Sequence, residues 1–117
     1  MDQKRRRQKN PDKLSNRELE RLAEEATVDA YGESEQATGF LTKLEENIEL
    51  PFETKLLGTV VKVVQFDIDD RDQIVAICER GGQRQTIQLL MLPLPVPMPR
   101  GTEWIDAYCY WRRNEMA

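Results

Sequence analysis

Thr54 to Phe66 reads TKLLGTVVKVVQF, and this stretch decides the fold. Thr59, Val60, Val61, Val63 and Val64 are β-branched, and such side chains fit a pleated, half-buried surface better than a helix. The segment predicts one long strand or two short ones, with Gly58 as a bend or bulge. Downstream, Gln73 to Glu79 (QIVAICE) predicts another strand, and Gly81-Gly82 is a two-residue hairpin signal. Residues 83–91 form the returning strand, with Ile87 and Leu89 on one face. The whole middle of the chain therefore predicts a small antiparallel sheet, which has to curl or be covered to protect its edges. An SH3-like barrel is one way to do so.

The flanks read differently. Ser15-Asn16-Arg17-Glu18 is a capping box, and Leu14 and Leu19 sit where a hydrophobic staple needs them. A helix follows to about Ala30, with Leu19, Leu22, Ala23, Ala26 and Ala30 on one face and Gly32 as its stop. A second helix is expected over 35–48, striped by Phe40, Leu41, Leu44 and Ile48, interrupted by Gly39 and halted before Pro51. Beyond the sheet, Pro93, Pro95, Pro97 and Pro99 alternate with apolar residues, which predicts an extended connector. Thr102 then fits the N-cap of a short final helix carrying Trp104, Tyr108 and Trp111 on one face, although the same segment also reads as a strand. These aromatics, with Tyr110, close the core; a binding platform is the alternative. The class is α+β: two N-terminal helices, a small curled antiparallel sheet and a short C-terminal aromatic segment.

The 117 residues fit one domain. Residues 1–13 carry six basic against two acidic residues, +4, without apolar periodicity, and read as a disordered basic tail. Residues 14–117 carry 11 basic against 19 acidic residues, −8, and form a single acidic domain. Such a body repels nucleic acid and attracts cations, although the run Lys4 to Lys9 could contact phosphates. No apolar run is long enough to span a membrane. Two cysteines and no histidine, without a secretory signal, suggest reduced thiols in a cytoplasm. The same counts argue against zinc and remove the Ser-His and Cys-His nucleophile pairs, so no enzyme is expected.

Carboxylates gather in three places. Asp67, Asp69, Asp70 and Asp72 lie between two predicted strands, where a loop can offer several oxygens to a hard cation such as calcium. The start resembles an EF-hand loop, but Arg71 stands at its fifth position, Asp72 at the sixth and Cys78 at the twelfth, with strands on both sides. An Asp-rich turn is also simply a turn. Glu45 and Glu46, with Asn47, Glu49 and Glu53, form a second group at the end of the second helix, where the macrodipole disfavours negative charge and a cation would relieve it. Asp29, Glu33 and Glu35 form a third, which could join either of the others. The candidate ligands are Asp67, Asp69, Asp70 and Asp72, with Glu45, Glu46 and Glu53 as a second set.

The stretch Glu18 to Tyr31 (ELERLAEEATVDAY), Gly32 to Gln36, Gly39-Phe40, Leu50-Pro51-Phe52, Leu57-Gly58, Ile74 to Cys78, Arg80-Gly81, Pro93-Leu94-Pro95, Gly101 and Glu103 to Tyr108 occur in an order that resembles the CcbP-like calcium-binding proteins, a bacterial, non-EF-hand family. The resemblance covers roughly 15–113 and leaves the basic tail outside. It implies a small acidic α+β domain that binds Ca2+ through carboxylates and buffers or senses it in the cytosol, without catalysis. The ligands named above come from charge clustering and not from the resemblance. The contrasting expectation is a protein-interaction module without a metal, in which the acidic surface only steers a partner.

Overall fold

A computed structural model describes residues 14–116, so the expected basic tail at 1–13 lies outside the described residues. Helix α1 (Asn16–Ala26) opens with the capping box: Ser15 Oγ accepts the Glu18 N–H at 3.2 Å and Glu18 Oε1 accepts the Ser15 N–H at 3.0 Å. It ends about a turn earlier than the sequence suggests. The Thr27 hydroxyl folds back to donate to the Ala23 carbonyl, and Asp29 takes a left-handed conformation at φ 61 that turns the chain. Gly32, at φ 100, is therefore the entry to α2 (Glu33–Asn47) and not the stop of α1. Gly39 lets the two helices touch: a Cβ there would lie 2.0 Å from the Ala26 carbonyl oxygen.

Four strands follow as a meander: β1 (Phe52–Leu56), β2 (Thr59–Ile68), β3 (Ile74–Arg80) and β4 (Gln83–Gln88). Two of the turns are two-residue hairpins with both residues at positive φ, Leu57-Gly58 and Gly81-Gly82, the geometry that matches strand twist. Gly58 thus makes a turn between two strands, and the bulge falls instead between Val63 and Gln65. The antiparallel sheet is open, in the order β1-β2-β3-β4, with no barrel closure among the described residues. Thr54, Val61, Val63, Phe66, Ala76 and Cys78 are buried beneath the helices. On the other face the register sets Glu53, Lys62, Glu79 and Arg84 in one row of alternating charge across all four strands.

After a 3₁₀ turn (Leu89–Met91) and the proline connector, helix α3 (Thr102–Met116) closes the molecule. This settles the choice between helix and strand left open by the sequence. Thr102 is its first residue, and its hydroxyl donates to the Pro99 carbonyl instead of accepting as a cap. Tyr108 packs edge-on against Phe40 with ring centroids 5.5 Å apart, and Trp111 lies 5.1 Å from Phe40. Burying Phe40 and Tyr108 stabilises the fold by about 2–3 kcal/mol each. No described helix is long and apolar enough to cross a membrane.

Candidate metal centre

The loop joining β2 to β3 holds Asp69, Asp70 and Asp72, and Asp69 builds it; Asp67, expected in the same loop, lies instead within β2, paired with Val75. Its Oδ1 accepts the N–H groups of Arg71 at 2.9 Å and Gln73 at 3.0 Å, and its Oδ2 accepts the Gln88 amide at 3.1 Å. Its own N–H donates to the Gln73 carbonyl, and the Asp72 N–H donates to the Asp69 carbonyl, with Asp72 at φ 60. Burial pushes the Asp69 carboxyl up, but the Gln73 and Arg71 N–H groups, the Gln88 amide and the Arg71 charge together outweigh it and hold it below the ordinary range. With both lone pairs of Oδ1 engaged, one position on Oδ2 is left for anything else. Asp67 Oδ1 accepts the Ile68 N–H at 2.8 Å, and Asp67 and Asp70 are exposed.

Arg112 lies beneath this loop, 3% exposed. It donates to the Asp72 carbonyl and to Glu33 Oε2, each at 2.7 Å, and its guanidinium stacks on Trp111 at 4.8 Å. Its Nε–H also donates to the Tyr108 hydroxyl, which accepts the Ile74 N–H at 2.9 Å. Burial opposes its charge, but Tyr108 and Glu33 outweigh that and keep the guanidinium protonated. Glu33, from the third acidic group, is thus joined to the loop through an arginine, while Glu35 turns back to accept the Tyr31 N–H at 2.8 Å.

The second group sits differently. Glu45 and Glu46 are exposed in the last turn of α2. Glu46, Asn47 and Glu49 line a cleft of about 610 Å³, faced by Arg100 and Glu103 at the start of α3. Gly101 holds the two sides together, since a Cβ on it would come 2.3 Å from the Asn47 carbonyl oxygen. Glu53 does not share this cleft. Phe52 lines it, and the next residue of the strand projects to the opposite face, into the charge row with Lys62.

A longer groove of about 860 Å³ continues from the cleft, between α1, α3 and the proline connector, past Glu18, Arg21, Glu103 and Asp106 to Leu14. Sequence reasoning missed Glu103 and Arg112. A glycine two residues before Glu103, and an arginine one turn after Tyr108 in an aromatic stripe, were the available signals.

All these donors are oxygens, which suits a hard cation. Burial pushes the Cys78 thiol up and the Cys109 thiol up to about 11, so neither offers a thiolate at neutral pH. Among the described residues no three acidic, cysteine or histidine side chains converge on one metal-sized point. The donor chemistry fits calcium; its gathering would require the side chains to move inward.

A family model described as calcium binding, of the CcbP type, matches residues 20–112. The chain belongs to this family. Two solved structures have the same fold, each at a TM-score of 0.64. One is Anabaena CcbP, 21% identical, aligned over 86% of this chain and 94% of that one. The other is a calcium binding protein in its calcium-binding form, 20% identical, aligned over 86% and 93%. No curated protein matches. The family region spans the loop, the cleft and Arg112, and it starts after the capping box of α1.

Proposed function

We propose that this protein is a non-catalytic, non-EF-hand calcium binder that buffers or senses Ca2+ in the bacterial cytosol. The observation that carries the reading is the family match over 20–112. An all-oxygen donor surface on a body of charge −8 supports it. The ligands proposed are Asp67 at the end of β2 with Asp69, Asp70 and Asp72 in the loop that follows, and Glu45, Glu46 and Glu53 as the second set. Within them Asp67, Asp70 and Glu46 are exposed, and Glu46 shares the cleft with Glu49 and Glu103. Affinity is modest on this reading, because the ion has to gather side chains that repel one another.

A titration of metal-stripped protein with calcium, followed by amide NMR with magnesium as control, tests it. Saturable shifts with calcium and not with equal magnesium, at 67–72 or 45–53, are expected. Asp69→Asn with Asp70→Asn lowers affinity several-fold if the loop is the site, and an unchanged isotherm removes the loop. Slight, non-saturating shifts throughout would sink calcium binding itself. A sensor also shows shifts far from the ligands, and a buffer does not.

One observation favours the partner-binding reading. Leu57 is 105% exposed at a turn position with φ 50, where glycine or asparagine is the ordinary choice, and Met91 is exposed on the same sheet-end groove. A stoichiometric partner whose binding ignores chelation of calcium and fails with Leu57→Asn would support it.

A further inference from the structure

We propose that the basic run Lys4 to Lys9 docks on the acidic groove between α1, α3 and the proline connector, and there opposes calcium. Leu14, the first described residue, is itself part of the groove wall. Lys9 is five residues before Leu14, so an extended backbone carries it up to about 17 Å along the groove. The groove and the cleft continuous with it are lined by five carboxylates, Glu18, Glu46, Glu49, Glu103 and Asp106, against two guanidiniums, Arg21 and Arg100. Residues 1–13 carry four more basic residues than acidic ones.

The groove also fits the shape of such side chains. Leu94, Val96 and Met98 form an apolar wall, and Val96 is 95% exposed. Lysine and arginine lay their aliphatic stems along a wall of this kind while the charged heads reach carboxylates at its rim. Tethering raises the local concentration of the run into the millimolar range, so weak ion pairing suffices for occupancy. The family match begins at residue 20, so the basic run lies outside the matched region while most of the groove wall lies within it.

The calcium half of the proposal rests on the reading above; the docking half does not. The test compares the full chain with a variant carrying Lys4→Gln, Arg5→Gln, Arg6→Gln, Arg7→Gln and Lys9→Gln. Without calcium, at about 20 mM salt, the two spectra should differ at Glu18, Glu103 and Asp106, and about 500 mM salt should move the native spectrum onto that of the variant. Spectra that superimpose from residue 14 onwards at both salts overturn docking. In calcium titrations the variant should bind about 3–10-fold more tightly at low salt, with the difference gone at high salt. Equal affinities at low salt, beside clear docking shifts, overturn the competition. Absence of calcium uptake by both proteins also overturns the competition and removes the calcium-binding reading, while the calcium-free spectra still decide docking.

Discussion

The 69–73 loop and the cleft at the end of α2 carry the same kind of charge in opposite conditions. In the loop, Asp69 has three of its four lone-pair positions committed to its own turn and to Gln88, and a buried guanidinium stands behind the backbone. In the cleft, Glu46, Glu49 and Glu103 face one another across open space with Arg100 at the edge. Equal acidity in the sequence therefore does not mean equal readiness for a cation. A carboxylate that builds a turn stabilises the fold, whereas one that lines open space among other carboxylates is left available to an incoming charge.

The contrast breaks most visibly at Arg112. Arg112→Met should lower stability by about 3 kcal/mol, seen as an earlier urea midpoint, because the Asp72 carbonyl and the Tyr108 hydroxyl lose their donor. Amide protection at 72–74 should fall while 46–49 keeps its own. Uniform loss would mean that the loop is no separate unit. Gly101→Ala is the reciprocal change. With φ at 88 and the Asn47 carbonyl in the way, it should cost about 2–3 kcal/mol and disturb 46–49 but spare the loop.

Asp69→Asn should cost about 1 kcal/mol at neutral pH, measured by the same unfolding curves. The sign of the pH effect follows from a carboxyl held below its ordinary value. Its contribution is complete above the unfolded-state value of about 3.9 and disappears as pH falls through the lower folded value, so the variant's stability curve should be flatter there. Glu46→Gln with Glu103→Gln should change stability by only about 0.5 kcal/mol or less. If the cleft takes the ion, calorimetry should show several-fold weaker calcium binding. A large stability loss with unaltered calcium binding would reverse the roles assigned to the two regions.

Much of this was legible locally. The capping box, the β-branched run and the Gly81-Gly82 hairpin each depend on neighbours within a few residues, and each appears where expected. The end of α1 was not legible, because it is set by α2 arriving on Ala26 through Gly39 and by a left-handed Asp29. Gly32 then looked like a stop when it is a start. In the site, the acidic groups could be read but not their company. Glu103 reaches Glu46 only because α3 starts against the end of α2, and Glu53 leaves that company because a strand alternates its sides. Arg112 connects elements far apart in the chain, and no spacing rule reports such a link.

The lateness of α3 in the chain bears on biosynthesis. The four strands pair only with sequential neighbours, so each hairpin can form as soon as it leaves the ribosome. Tyr108, Trp104 and Ile105 come afterwards, and Tyr108 is the ring against Phe40. Until those residues emerge, α2 is already in place against the sheet but its Phe40 lacks the Tyr108 ring, so part of the core stays uncovered, a surface that chaperones recognise and that invites association between neighbouring chains on a polysome.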